Sequence, residues 1–151
     1  MEMIILVGSH GGTAEMVADE LKSEVSAAGH RVSVHLMKTA DPLVLAQDAA
    51  VLVVTSSHGE GELPESARPF YEKLSLQRPS LRGLRYGVFG LGDNKRHTHT
   101  FCFGAKKLDR LLTELGASRI GDVECHDMWS KTHVEDHAVE WLEGWLEEVS
   151  A

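Results

Sequence analysis

The chain has 151 residues, 42% of them hydrophobic and 25% charged, and a formal net charge of −8. That size and balance suit one folded unit with a substantial core, while the negative charge argues against nucleic acid or an anionic membrane and favours a partner with a basic docking face. No apolar run approaches the length needed to cross a bilayer and no charged-then-apolar leader precedes the first apolar run, so a cytoplasmic protein is expected. The two cysteines, Cys102 and Cys125, are too few and too widely spaced for a disulfide framework or a zinc motif, which leaves buried reduced thiols as the expectation.

In chain order, Met3-Ile4-Ile5-Leu6-Val7 is a first apolar strand. It runs into Gly8-Ser9-His10-Gly11-Gly12-Thr13-Ala14-Glu15, a glycine-rich turn that opens a helical pattern from about Thr13 to Ala28, with Val17, Leu21 and Val25 on one stripe and Gly29 as the stop. Such a turn places free backbone N–H groups at the positive end of a helix, where the hydroxyls of Ser9 and Thr13 add donors for a phosphate. The plain alternative is an ordinary strand-to-helix turn that uses glycine for its dihedrals.

Val32, Val34 and Leu36 alternate as a half-buried second strand, and Asp41-Pro42 opens a short helical segment. Ala49-Ala50-Val51-Leu52-Val53-Val54 is a continuous apolar run, the pattern of a central parallel strand covered on both faces. It exits into the polar, glycine-rich stretch Thr55-Ser56-Ser57-His58-Gly59-Glu60-Gly61-Glu62-Leu63-Pro64. A helix is expected from about Glu65 to Leu74, then a fourth strand, Tyr86-Gly87-Val88-Phe89-Gly90, followed by a second polar loop from Leu91 to His99 that holds Gly92 and Asp93. The next helix uses Phe101, Leu108, Leu111, Leu112 and Leu115 and stops at Gly116; Ile120, Val123 and Cys125 fit a fifth strand. Val134 to Val149 closes the chain as an amphipathic helix whose Trp141 and Trp145, four apart, read as core anchors.

With no internal repeat or domain boundary, residues 1–151 are expected to form a single domain. The alternation of strands and helices predicts an α/β fold with a doubly wound parallel sheet. Ligands of such sheets sit beyond the carboxyl ends of the strands, where all three polar loops fall.

These residues resemble the flavodoxins. Gly8 to Glu15 looks like the flavodoxin phosphate loop, His58-Gly59-Glu60-Gly61-Glu62-Leu63-Pro64 is similar to its first flavin loop, and Gly90-Leu91-Gly92-Asp93 with Phe101-Cys102 resembles the second. Cys125-His126-Asp127 followed by Ala138 to Trp145 points more narrowly to the short flavodoxins of the MioC type. The resemblance implies a three-layer sandwich with a five-stranded parallel sheet in the order 2-1-3-4-5. It also implies an FMN-binding electron carrier, not an enzyme, working between a basic flavin reductase, such as a ferredoxin/flavodoxin-NADP reductase, and an acceptor enzyme. By the same resemblance Ser9, His10, Gly11, Gly12, Thr13 and Ala14 hold the phosphate, while Thr55, Ser56, Ser57, His58, Gly59, Glu60 and Gly61 flank the isoalloxazine on one side. Leu91, Gly92, Asp93, His97, His99, Phe101 and Cys102 flank it on the other. Gly59 stands where the family uses a glycine whose peptide turns toward flavin N5. Glu60, Glu62 and Asp93 would disfavour the anionic reduced flavin, because negative charge added beside carboxylates costs energy.

The chain departs from the family pattern in three places. His58 stands where an aromatic ring commonly stacks on the flavin, and Gly11 replaces the usual threonine of the phosphate loop. The second loop is longer than usual: its customary tyrosine falls at Arg96 counted from Asp93 and at Thr98 counted back from Cys102, so His97 or His99 is left to stack.

Other classes of function are open to the same residues. Nine histidines invite a metal or pH-sensing site, with His133 and His137 four apart on the last helix and His97 near His99, but neither pair has an evident third and fourth ligand. A phosphoacceptor receiver domain needs an acidic residue at the end of the central strand, and Thr55-Ser56-Ser57 offers none. A flavodoxin-like scaffold that has lost its cofactor and serves as an interaction module is the main alternative.

Overall fold

The computed structural model describes residues 1–9, 11–46, 48–57, 62–93 and 102–150, with the backbone alone for Ala46. The chain runs β1 (Glu2–Gly8), α1 (Thr13–Ala27), β2 (Arg31–Leu36), a 3-10 turn (Pro42–Ala46), β3 (Ala50–Ser56), a second 3-10 turn (Glu65–Ala67) leading into α2 (Arg68–Gln77), β4 (Arg85–Gly92), α3 (Phe103–Glu114), β5 (Ser118–Arg119), β6 (Glu124–Asp127) and α4 (Val134–Ser150). Every described pairing is parallel, in the order β2-β1-β3-β4-β5 with β6 also on β4. This is the predicted 2-1-3-4-5 order. Its fifth position, expected as one strand through Ile120, Val123 and Cys125, is shared by two short pieces.

The alternation of side chains along the strands sorts the core into two layers. Ile4, Leu6, Val51, Val53, Tyr86 and Val88 pack with Phe70 and Leu74 of α2 and Leu108, Leu111 and Leu112 of α3. Met3, Ile5, Val7, Leu52, Val54, Phe89 and Leu91 point the other way, onto Ala14, Val17, Leu21 and Val25 of α1 and Ala138, Leu142, Trp145 and Val149 of α4. The result is helices, sheet, helices, and β3 is buried along its full length, as its continuous apolar run requires. Each such apolar side chain contributes about 1.5–3 kcal/mol when removed from water. Trp145 is a core anchor and Trp141 is partly buried against the same layer.

Two loop boundaries differ from the sequence reading. β4 continues through Leu91 and Gly92, because Leu91 belongs to the core and Gly92 pairs with Asp127; the second polar loop therefore begins at Asp93, not at Leu91. Thr55 and Ser56 likewise close β3 as buried strand residues, paired with Gly90 and Leu91.

With β2 on one side of β1 and β3 to β6 on the other, the chain reverses its direction of progress across the sheet between β1 and β3. The loops that leave these two strands open the crevice where such folds bind ligands.

Candidate functional site

The first loop leaves β1 at Gly8, a position packed too closely for a side chain. A Cβ there would stand 2.8 Å from Thr55 Oγ1 and 3.0 Å from Ala67 Cβ. Beyond Ser9, Gly11 and Gly12 take left-handed dihedrals, φ 79° and 87°, and Gly12 serves as the N-cap of α1. Residues with a Cβ pay a steric penalty there, which accounts for two glycines in succession. A Cβ built on either would meet no atom of the described residues within 4 Å.

No described side chain caps α1, which leaves its first-turn N–H groups without a side-chain partner among the described residues. Ser9 Oγ accepts the Gly12 N–H at 3.0 Å and keeps its own hydrogen to donate. Ala14 is buried in the core, so only its backbone can face a ligand. Thr13 is half-buried at the helix start. A feature the sequence reading missed anchors the loop from outside: Ser66 Oγ donates to the Ser9 carbonyl at 2.7 Å.

The second wall starts where β3 ends. Thr55 Oγ1 donates to the Ser56 carbonyl at 3.1 Å, and Ser57 N–H donates to the Leu91 carbonyl at 3.0 Å, tying the exits of β3 and β4 together. Ser57 Oγ is buried and has no hydrogen-bond partner among the described residues. An orphan hydroxyl at the mouth of the crevice is what a bound polar group would satisfy. Nearby, Gly104 lets the start of α3 pack closely, since a Cβ there would lie 3.2 Å from both Ser57 Oγ and the Glu62 carbonyl.

The third wall begins at Asp93. Trp129, in the link from β6 to α4, donates its indole Nε1–H to Asp93 Oδ1 at 2.6 Å, and Met128 N–H donates to the Gly92 carbonyl at 2.9 Å. Met128 and Trp129 are both about half exposed, at 47% and 48%. The sequence reading did not include this link. The available signal was an aromatic residue in the polar stretch Asp127 to His133 at the carboxyl end of the fifth strand position, the same criterion that picked out the other loops.

Of the predicted site residues, the structure brings Ser9, Gly11, Gly12, Thr13, Ala14, Thr55, Ser56, Ser57, Leu91, Gly92, Asp93 and Cys102 to the carboxyl end of the sheet. Thr55, Ser56, Leu91 and Cys102 are buried there. His10, His58, Gly59, Glu60, Gly61, His97, His99 and Phe101 lie outside the described residues. His133 lies just before α4, and His137 Nδ1 shares a hydrogen bond of 2.8 Å with Nδ1 of His126 on β6. Burial, followed by the charge of His137, holds His126 below the usual histidine range. Among the described residues no cluster of three or more acidic, histidine or cysteine side chains is placed to hold a metal ion.

A cleft of about 450 Å³ between the 121–124 segment and α4 involves none of these loops. It is lined by Asp122, Glu124, Glu140 and Glu148, whose charge is wrong for a phosphate.

A doubly wound parallel sheet with a glycine turn into a helix at its switch point belongs to the α/β folds whose ligands sit across the carboxyl ends of the strands. The relatives narrow that class. The sequence profile described as Flavodoxin matches residues 5–141. The chain is 37% identical to Flavodoxin YqcA of Pectobacterium carotovorum subsp. carotovorum, over 97% of this chain and 96% of that protein. It is 34% identical to Protein MioC of Escherichia coli (strain K12), over 96% of each. A cysteine-to-alanine variant of a flavodoxin from Pseudomonas aeruginosa superposes with a TM-score of 0.89 at 35% identity, covering all of both chains. The chain belongs to the flavodoxin family of FMN-type electron carriers.

Proposed function

We propose that the whole chain acts as one FMN-binding domain that carries single electrons between a basic flavin reductase, such as a ferredoxin/flavodoxin-NADP reductase, and an acceptor enzyme in the cytoplasm. The observation that carries this reading is the left-handed Gly11-Gly12 turn into an uncapped helix, with no atom of the described residues within 4 Å of a Cβ built on either glycine. Backbone N–H groups of Gly11, Thr13 and Ala14 and the hydroxyls of Ser9 and Thr13 would hold the phosphate, with Gly12 shaping the turn and its N–H held by Ser9 Oγ. The segment beginning at Ser57, with His58 to Gly61, and the segment beginning at Asp93, with His97, His99 and Phe101, would wall the ring system. Bound FMN supplies the capacity to accept and release one electron at a time. The protein's own part is to orient it, exclude water from one side and place carboxylates near it. The net charge of −8 suits a reductase with a basic face.

Protein purified without added cofactor should carry a yellow chromophore that is released as FMN. Replacing Thr13 with Ala should weaken FMN by about 1.5–3 kcal/mol, the worth of a hydrogen bond to a charged group, roughly tenfold to a hundredfold in Kd. Riboflavin, which lacks the phosphate, should be affected little. Equal losses for the two ligands would remove Thr13 from the phosphate site, and a colourless protein that ignores added FMN would favour the cofactor-free scaffold.

A further inference from the structure

The two cysteines, 23 positions apart in the sequence, meet on one face of the sheet. Gly90 of β4 pairs in register with Cys125 of β6, and Cys102 is the N-cap of α3, which lies over the same face. A Cβ built on Gly90 would stand 3.1 Å from Cys102 Sγ and 3.6 Å from Cys125 Sγ, so the missing side chain leaves the space in which the two sulfurs gather. They share a side-chain hydrogen bond. Cys102 also holds a left-handed backbone, φ 58°, in a residue that is not glycine. Backbones of that kind persist where the surroundings impose them.

The two thiols differ in ways that matter for chemistry. Cys102 is fully buried, whereas Cys125 is only half-buried. The hydrogen bond from Cys102 holds the Cys125 thiol below its usual range against the opposing effect of burial, with help from the Lys106 ammonium and against the Glu124 carboxylate. The same hydrogen bond, followed by burial, pushes the Cys102 thiol up; Asp127 adds to this and Lys106 opposes it. A partly exposed cysteine with the lowered thiol pKa beside a fully buried one with the raised pKa is the division of labour in an attacking and a resolving thiol.

We propose that Cys125 and Cys102 form a redox-active dithiol that a hydroperoxide converts into an intramolecular disulfide at the carboxyl end of β4. In the first step the Cys125 thiolate attacks the hydroperoxide; an S–O bond forms, the O–O bond breaks, and the leaving alkoxide or hydroxide takes a proton. In the second, Cys102 sulfur attacks the Cys125 sulfenic acid; the S–S bond forms, the S–O bond breaks, and the oxygen leaves as water with the Cys102 proton. Overall, dithiol and hydroperoxide give disulfide, alcohol or water, and water. A thiol reductant reverses the change by exchange.

The test is titration of the reduced protein with hydrogen peroxide, followed by intact mass, thiol counting in denaturant and peptide mapping. An equimolar amount should consume both thiols, leave a monomer lighter by two hydrogens with Cys102 linked to Cys125, and be reversed by dithiothreitol. In Cys102→Ser the reaction should stop at Cys125 sulfenic acid, one oxygen heavier and trapped by dimedone. Cys125→Ser should react at least about tenfold more slowly, since each unit of thiol pKa near neutrality changes the thiolate fraction by that factor. Disulfide-linked dimers, over-oxidised Cys125 with Cys102 still a thiol, or inert thiols in the wild-type protein would each overturn the proposal. So would a Cys125→Ser variant that reacts at the wild-type rate.

Discussion

Replacing Ser66 with Ala removes the hydrogen bond from its Oγ to the Ser9 carbonyl, a contact of 2.7 Å between residues 57 apart in the chain. Among the described residues, the backbone of the first loop is also held by its own Ser9–Gly12 bond and by the Ser56 hydroxyl, which reaches the Gly8 carbonyl at 3.5 Å. A neutral hydrogen bond of this kind contributes about 0.5–1.5 kcal/mol. The site is partly open, so water can partly replace the lost donor, and a cost of about 1 kcal/mol is expected, roughly fivefold in an equilibrium constant. If the bond orders a backbone cradle for phosphate, that loss appears in FMN affinity and not in riboflavin affinity. The assay is fluorescence titration of the flavin-free protein with each ligand, alongside urea unfolding to measure the stability change separately. A variant that binds FMN as tightly as wild type, or that loses FMN and riboflavin equally, would refute the idea that Ser66 holds a phosphate loop in place.

Gly87→Ala should cost about 2–3 kcal/mol in urea unfolding, because a Cβ there would press into the buried Trp145 indole, 2.8 Å from both its Cδ1 and Cε2; wild-type stability would mean that α4 does not seat on β4 as described. His126 gives a pH dependence. Its folded pKa lies below the unfolded value of 6.5, so its contribution to stability is fully present above about pH 6.5 and is lost as pH falls from there through the folded pKa. Urea midpoints measured from pH 8 downward should fall over that range, and His126→Asn should flatten this part of the profile. An unchanged slope would place the titration elsewhere.

The sheet order was legible because its signals are local and redundant. The Ala50–Val54 run can only be central, Gly29 and Gly116 stop their helices in left-handed conformations, and the alternation in β1 splits cleanly between the two core layers. The glycine turn after β1 was legible for a similar reason, since strand, paired glycines and helix start are adjacent in sequence. Ser66, Trp129 and the His126–His137 pair were not, because each acts through a contact between elements distant in the chain. Helical spacing pointed His137 at His133; the fold offered it a buried imidazole on β6. Trp129 lies in a stretch without periodicity, and only the meeting of strand ends brings its indole to Asp93.

The divided fifth strand follows from the same limit and has a consequence for the thiols. Arg119 pairs with Tyr86 and Glu124 with Phe89, so three steps along β4 are matched by five along its neighbour. Two residues are therefore extra, and the excess is taken up in the 120–123 stretch, where Gly121 adopts φ 74°. Apolar positions 120, 123 and 125 fit neither strand nor helix period once such a bulge intervenes. Because side chains alternate with a period of two, an excess of two residues leaves the facing of the second piece unchanged. Cys125 thus stays on the face that Gly90 shares with α3, where Cys102 waits. A bulge of one residue would instead turn Cys125 toward α1 and α4 and bring His126 to the α3 side, separating the two sulfurs by the thickness of the sheet.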